Sequence, residues 1–267
     1  MYNVDAVWSS LSARDAGLSL RQAADRAGTT RDILFRWGRL FRNAQSYETG
    51  LRVSSILRWT VLQGFHSLHA RSHDKSAVAD LWYLVGVITS DGCLSPSGRH
   101  VLITSKDREY LELLGSRFGI NYPVYRHESG YGTCTWRLGV GSRDLYDLCV
   151  EIGLTPRKSK TIGALKLPED AFRPFTLGLI DGDGSIDPHN GRVRIFSGSH
   201  RFLDYMVEQA GQRFGITSGR IYPGNRVFTL QFSPSDSRAI LVACYGSTGL
   251  HLARKFERAQ KVLGGVG

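Results

Sequence analysis

The sequence predicts an α+β fold made of two related αββαββα halves, preceded by a small all-α segment. Three observations predict this fold. A nine-residue motif occurs twice, at 84–92 and 176–184, and each copy is followed by the same succession of strand and helix patterns. The first 75 residues show helical patterns and contain no proline. We therefore expect three domains, with boundaries at 1–75, 76–168 and 169–267.

Composition and charge favour a polyanionic partner. Of the 267 residues, 42% are hydrophobic, and Lys+Arg number 34 against 24 Asp+Glu, so the net charge is +10. The partner is then nucleic acid or an anionic membrane surface. No apolar run reaches the ~18 residues of a membrane-spanning helix, which disfavours the membrane. The four cysteines are scattered without a C-x-x-C pair, which favours a cytoplasmic protein and disfavours a zinc site.

The N-terminal segment predicts a helix-turn-helix. Within 17–42, Ser19 is suited to cap a first short helix and Gly28 to form the turn before a second one. A second helix of this kind lies in the DNA major groove, which makes Thr30, Arg31, Arg36 and Arg39 the predicted DNA contacts. The alternative is an ordinary helical hairpin.

The duplicated motif predicts two closely packed helices. Both copies contain Gly-x-Ile-x-x-Asp-Gly, beginning at Gly86 and Gly178. A glycine at one helical position allows a second helix to approach closely. If the two helices pack on each other, Asp91 and Asp183 meet near a pseudo-twofold axis. The glycine after each aspartate is expected to end its helix in the left-handed conformation.

Two neighbouring carboxylates at helix C-termini predict a cation site. They repel each other unless a cation separates them, and an oxygen-only site suits Mg²⁺. A cation there could activate water and stabilise a leaving oxygen in phosphodiester cleavage. For a single copy of the motif, helix packing alone would be the better explanation. The second copy, with its own terminal aspartate, favours the metal site.

The hairpins that follow each motif alternate as half-buried strands do, with one apolar face and one polar face. The polar faces carry arginine and are suited to lie along a nucleic-acid groove, although they could simply face water. The predicted DNA-binding residues on these faces are Arg137, Arg192, Arg194, Thr229 and Gln231.

The duplicated motif resembles the LAGLIDADG homing endonucleases, in the form that carries two motifs in one chain. The resemblance covers residues 78–262 and depends on Gly86, Ile88, Asp91, Gly92, Gly178, Leu179, Ile180, Asp181, Gly182, Asp183 and Gly184. It implies a pseudo-symmetric saddle whose two sheets grip a long double-stranded DNA site. It also implies that the two terminal aspartates bind Mg²⁺ or Mn²⁺ and that both strands are cut, leaving short 3′ overhangs. The first motif departs from the family pattern at Thr89 and Ser90.

Basic residues late in each half lie near the scissile phosphates in this family. Lys158 and Lys255 have matched positions in the repeat and are the candidate catalytic lysines. Arg157 and Arg254 are the neighbouring alternatives, and a solvated basic turn is the other interpretation of all four.

The sequence thus predicts a monomeric, site-specific double-strand DNA endonuclease in the cytoplasm, associated with the nucleoid when bound to DNA. A regulator that kept the scaffold and lost cleavage is one alternative, and an intron maturase that binds RNA is another. The paired aspartates argue against the regulator. The helix-turn-helix argues against the maturase, because that module reads a duplex major groove. The chain ends lack the residues of protein splicing, so a free-standing protein rather than an intein is expected.

Overall fold

The computed structural model describes residues 17–26, 28, 30–31, 75–120, 122–128, 134–246 and 249–264. The chain divides into two compact units, residues 1–73 and 74–267.

The described part of the first unit contains helix α1, Leu20–Arg26. Its N-terminus is closed by a reciprocal pair of hydrogen bonds. The backbone N–H of Gln22 donates to Ser19 Oγ at 3.3 Å, and the backbone N–H of Ser19 donates to Gln22 Oε1 at 3.0 Å. Ala23 and Ala24 are buried. The predicted cap at Ser19 is confirmed.

The predicted helix-turn-helix is described only around its turn. Gly28 has a φ of +59°, the left-handed conformation that a turn after a helix requires. Thr30 and Arg31 are exposed. Arg36 and Arg39 lie outside the described residues, so the helix-turn-helix remains a prediction.

The second unit has the predicted order of elements in both halves. The first half consists of α2 (Lys75–Asp91), β1 (Gly92–Leu94), β2 (Val101–Ser105), α3 (Arg108–Arg117), β3 (Tyr125–Glu128), β4 (Cys134–Val140) and α4 (Arg143–Glu151). The second half consists of α5 (Phe172–Asp183), β5 (Gly184–Asp187), β6 (Arg192–Ser197), α6 (His200–Phe214), β7 (Arg220–Pro223), β8 (Phe228–Gln231) and α7 (Pro234–Tyr245). Helix α8 (Ala253–Gly264) follows. The predicted α+β fold is confirmed.

The two sheets have the same topology. Their strand orders are β1-β2-β4-β3 and β5-β6-β8-β7, and all neighbouring strands are antiparallel. Their registers also match, since Leu102 pairs with Gly139 as Arg194 pairs with Gln231. In each sheet alternate residues are buried beneath the helices, and the other face lies open.

The core of the second unit is centred on α2 and α5, which pack against each other. Both helices are buried on nearly every side, as expected of helices that are apolar all round. The largest fully buried side chains are aromatic: Trp82, Tyr83, Phe172, Phe175, Phe202 and Phe232. Among the described residues, no helix is long and apolar enough to span a membrane.

The expectation that Gly92 and Gly184 end their helices in the left-handed conformation is wrong. Neither has a positive φ, and Gly184 is extended, with φ −80° and ψ 167°. Each glycine begins a strand directly after its helix, so the chain folds back over the last helical turn. A Cβ at Gly92 would lie 2.5 Å from Ile88 O, and one at Gly184 would lie 2.6 Å from Ile180 O. Close backbone approach explains both glycines.

Candidate functional site

The two motif helices are in backbone contact at their central glycines. A Cβ at Gly86 would lie 2.1 Å from Phe175 O, and a Cβ at Gly178 would lie 2.0 Å from Tyr83 O. The two contacts are equivalent on the two sides of the helix pair. They show that only glycine fits at either position, as the repeated motif predicts.

The close packing brings the C-terminal ends of α2 and α5 together. Asp91 is the last residue of α2 and Asp183 is the last residue of α5. A Cβ at Gly182 would lie 3.1 Å from Asp91 Oδ2, so this carboxylate lies beside the residue that precedes Asp183. The predicted meeting of the two aspartates is observed.

The protein environment opposes the negative charge of both carboxylates. Desolvation and the neighbouring charge of Asp183 raise the pKa of Asp91 to about 7. Desolvation also raises the pKa of Asp183, although its side chain remains exposed to solvent. Lys158 and Lys255 act in the opposite direction on the pKa of both groups. The protein therefore compensates only part of the negative charge of these two neighbouring carboxylates.

The donor set at this place fits a hard divalent cation. Within the described residues, neither Asp91 nor Asp183 forms a hydrogen bond or a salt bridge. The described residues also contain no cluster of three His, Cys, Asp or Glu side chains that could bind a metal. Two carboxylates would leave most coordination positions to water and phosphate oxygens, which is typical of Mg²⁺.

Lys255 is buried at the end of α5, where its ammonium group binds the helix terminus. Only 3% of its surface is exposed. Its Nζ lies 2.6–2.9 Å from four carbonyl oxygens, those of Ile180, Asp181, Gly182 and Gly184. Ile180 O also accepts the backbone N–H of Gly184. The lysine adds a charged donor at the negative end of the helix, where the last carbonyls have no acceptor role inside the helix. Desolvation lowers the pKa of Lys255 to about 8.

The structure distinguishes the two lysines from their arginine neighbours. Lys158 is buried, and its Nζ donates to Gly92 O, directly after Asp91. Arg157 has a left-handed backbone with φ +60°. Arg254 Nε donates to Asp107 at 3.0 Å on the surface. Lys158 and Lys255 are thus the basic residues buried beside the aspartates, but both ammonium groups are directed at carbonyl oxygens.

Replacing Lys255 with methionine is expected to destabilise the second unit. Methionine fills a similar volume but removes the buried ammonium donor that four carbonyls share, so we expect a loss of ~2–4 kcal/mol in the free energy of unfolding. Urea unfolding followed by circular dichroism measures it. Arg254→Met is the control, because it removes an exposed ion pair worth under ~1 kcal/mol. Equal stability of the two variants would contradict the assigned role of Lys255.

Ser90 and Gly182 occupy matched positions before the two aspartates and pack on each other. A Cβ at Gly182 would lie 1.8 Å from Ser90 Oγ. Ser90 Oγ donates back to Val87 O at 3.0 Å. The serine in the first motif is therefore accommodated because the second motif has glycine at that position.

The polar residue one position earlier differs between the two motifs. Thr89 Oγ1 donates to Val85 O at 2.8 Å within its own helix. Asp181, 1% exposed, accepts hydrogen bonds from Tyr83 Oη at 2.7 Å, Tyr245 Oη at 2.5 Å and the backbone N–H of Leu252 at 2.7 Å. Asp181 thus ties α5 to α2, to α7 and to the start of α8.

The tyrosines around Asp181 are absent from the sequence prediction. Tyr83 also exchanges a hydrogen bond of 2.7 Å with Tyr110. The only sequence signal for these tyrosines is Asp181 itself, because a buried carboxylate in an apolar helix requires hydrogen-bond donors. The sequence does not show which distant residues supply them.

The predicted DNA-binding residues of the sheets all lie on the open faces. By strand register, Arg137 lies on the open face of the first sheet. The second sheet carries the others: Arg192, Arg194, Thr229 and Gln231. Their neighbours in sequence, among them Leu138 and Leu230, are buried. These open faces begin at the aspartates, since β1 and β5 directly follow Asp91 and Asp183.

Arg137 has an unsatisfied donor. Its Nε is buried and has no hydrogen-bond partner among the described residues. A buried N–H without an acceptor is costly, and because this atom is closed to solvent, an acceptor from outside the chain would reach it only after the side chain turns.

One known family model matches the first repeat. Residues 79–153 match the family model of a LAGLIDADG-like domain. No curated protein matches the chain in sequence.

Solved structures share the fold at low sequence identity. The homing endonuclease I-WcaI, bound to its DNA recognition sequence, has a TM-score of 0.54 at 12% identity, over 79% of this chain and 98% of that chain. Full-length DUF199/WhiA from Thermatoga maritima has a TM-score of 0.51 at 14% identity, over 73% of this chain. The match spans 62% of that WhiA chain. I-DmoI, in complex with DNA and Mn, has a TM-score of 0.44 at 18% identity, over 66% and 99% of the two chains.

At these identities the likeness to I-WcaI and WhiA shows a shared fold. The family model covers the first repeat, and the second repeat has the same elements, the same sheet topology and the same motif glycines. Residues 79–153 are therefore a LAGLIDADG-like domain, and the second repeat shares its architecture.

Proposed function

We propose that the chain is a site-specific double-strand DNA endonuclease that requires Mg²⁺ or Mn²⁺. The observation that carries the proposal is the pair of aspartates at the helix junction, which have raised pKa values and form no hydrogen bond or salt bridge with the described residues. The protein would act as a monomer in the cytoplasm, with residues 1–75 as an added DNA-binding domain before the repeats 76–168 and 169–267.

Each group at the junction has a proposed role. Asp91 and Asp183 would hold the cation, which supplies activation of water and stabilisation of the leaving oxygen. Lys158 and Lys255 fix the ends of the motif helices and compensate part of the carboxylate charge. Any further catalytic role of these lysines at the scissile phosphates would require their ammonium groups to leave the carbonyls. The open sheet faces would bind the duplex on either side.

Cleavage of a randomised duplex library tests the proposal. The full chain is incubated with the library and Mg²⁺, and all newly formed ends are sequenced. The proposal expects one recurrent cut position in each strand, with short 3′ overhangs. A library without new ends, in the presence of either Mg²⁺ or Mn²⁺, would refute it.

A DNA-binding regulator without cleavage is the second candidate. One observation favours it, namely that both lysines beside the aspartates already donate to backbone carbonyls. The same library distinguishes the two functions. Duplexes that are enriched by binding but never cut indicate the regulator.

The cysteines provide a test of the DNA-binding surface. Cys93 and Cys134 are exposed, whereas burial raises the pKa of Cys149 and Cys244 to about 12. We expect iodoacetamide to modify only the first two in the native protein, as measured by mass spectrometry. Bound duplex should protect Cys93, which lies on the open sheet face, and leave Cys134 reactive, because Cys134 lies on the opposite face. Protection of both or of neither would contradict the proposed surface.

The N-terminal arginines should contribute to DNA affinity through phosphate contacts. The full-length triple variant Arg31→Ala, Arg36→Ala, Arg39→Ala is expected to bind DNA more weakly and to lower the salt slope of log K by up to about 3. Fluorescence anisotropy at several salt concentrations measures both effects. Replacement of three exposed arginines elsewhere, Arg143, Arg201 and Arg258, is the control. Equal slopes for the two variants would argue against a helix-turn-helix.

A further inference from the structure

The two open sheet faces differ in chemistry at equivalent positions beside the aspartates. Strand register places Cys93, Leu102 and Gly139 in one row across the first sheet. The equivalent row of the second sheet consists of Ser185, Arg194 and Gln231. We call these the apolar row and the polar row. The fold is duplicated, but this surface is not.

The apolar row forms the floor of a shallow, open cavity of about 310 Å³. Tyr122 lies along its side, 56% exposed, and packs so closely on Gly141 that a Cβ there would lie 2.9 Å from Tyr122 Oη. His100 and Ser95 lie at its border. The floor itself offers aliphatic and thiol surface but almost no hydrogen-bonding groups.

Two side chains of the polar row are joined by a hydrogen bond. Arg194 Nε donates to Gln231 Oε1 at 2.8 Å, and a guanidinium nitrogen lies 3.7 Å from Asp187. These contacts fix the direction of the guanidinium group and leave its other N–H groups open. Arginine pairs with the O6 and N7 atoms of guanine, and glutamine pairs with adenine, in the major groove.

We propose that the two halves of the bound DNA site are read by different chemistry next to the cleavage point. The apolar row contacts thymine methyl groups, and the polar row contacts purine edges. This inference rests on the proposed function, because it takes the open faces as the DNA-binding surface. Cys93 lies two residues from Asp91, so the cavity adjoins the candidate cleavage centre. On the same face, Arg137 Nε still requires an acceptor.

Thymine is the base that fits the apolar row. Its C5-methyl is the apolar group that distinguishes it in the major groove, where the other bases present donors and acceptors at their edges. A floor with almost no donors or acceptors would leave such edges unpaired, which costs affinity. The apolar row therefore selects a methyl group and disfavours guanine and cytosine at those positions.

Base substitution in a mapped site tests the inference with the full chain. Bound duplexes are selected from a randomised library with Ca²⁺ in place of Mg²⁺, and thymine is then replaced by uracil in one half at a time. Uracil keeps the pairing and lacks only the methyl group. In the half bound by the first repeat, we expect removal of each contacted methyl group to weaken binding about fourfold. In the other half uracil should leave the Kd unchanged.

Exchange of the two rows assigns each half of the site to its repeat. Leu102→Arg with Gly139→Gln should convert the thymine preference of one half to a purine preference and remove its sensitivity to uracil. Arg194→Leu should leave that half unchanged and reduce purine discrimination in the other half by about 5- to 150-fold. Leu102 and Arg194 are half-buried on open faces, so both variants are compatible with the core.

The outcomes separate this inference from the proposed function. Equal effects of uracil in the two halves, or an unchanged preference in the exchange variant, would overturn the inference while DNA binding stands. If no duplex is enriched at all, the proposed function fails and the inference fails with it.

Discussion

Replacing Asp91 or Asp183 with asparagine is expected to abolish double-strand cleavage and to leave DNA binding intact. Asparagine has nearly the same shape but does not supply the negative charge that holds a divalent cation. Loss of the several kcal/mol that a cation contributes to the transition state lowers the cleavage rate by at least about 10³-fold. Binding should be equal or slightly tighter, because one charge that repels phosphate is removed. Cleavage of a mapped duplex and a mobility-shift assay measure the two effects.

The matched control is Asp204→Asn. Asp204 is an exposed aspartate of α6 paired with His200, and it lies on an element outside the helix junction. It is expected to retain full cleavage and full binding. Wild-type cleavage by both junction variants would refute the metal-site assignment. Loss of binding together with cleavage would show that the aspartates have a structural role instead.

Replacing Gly178 with alanine is expected to destabilise the second unit strongly. The new Cβ would lie 2.0 Å from Tyr83 O and 2.9 Å from Val87 N, both backbone atoms that cannot rotate away. The helices must separate, which also moves Asp91 away from Asp183. We expect a loss of about 3 kcal/mol or more in the free energy of unfolding, at or above the upper end of the usual cost of overpacking. Gly86→Ala should behave similarly, because its contact with Phe175 O is equivalent.

Gly115→Ala is the control for alanine in a helix. Gly115 lies in α3, and its added Cβ would have its nearest neighbour at 3.8 Å. Alanine is the better helix former there, so we expect a gain of up to about 1 kcal/mol. Urea unfolding of both variants gives the comparison. A Gly178→Ala protein as stable as Gly115→Ala would contradict the backbone contact of the motif helices.

Much of the fold follows from local patterns in the sequence. The repeated Gly-x-Ile-x-x-Asp-Gly motif predicts that Gly86 and Gly178 face each other, because only a close helix pair requires glycine at the same place twice. Alternation along β4 and β8 predicts which side chains lie on the open faces, because successive residues of a strand point in opposite directions. Arg137 and Gln231 are placed on those faces by this argument alone.

Other parts of the site depend on contacts between distant residues. Tyr245 and Leu252 reach Asp181 only because α7 and the start of α8 pack against α5, and no local pattern shows this. The conformation expected for Gly92 and Gly184 is wrong, because a glycine after a helix fits both a left-handed cap and a tight reversal into a strand. The burial of Lys255 against four carbonyls also depends on distant packing. The sequence shows that this residue is basic but not where its side chain points.

Binding of Mn²⁺ to the protein–DNA complex tests most directly the claim that Asp91 and Asp183 together hold a divalent cation. Electron paramagnetic resonance counts the bound ions, after subtraction of those bound by the duplex alone. The wild-type complex is expected to bind Mn²⁺ beyond the duplex, and the double variant Asp91→Asn, Asp183→Asn to bind none while the DNA remains bound. Equal Mn²⁺ binding by the two complexes would contradict the claim.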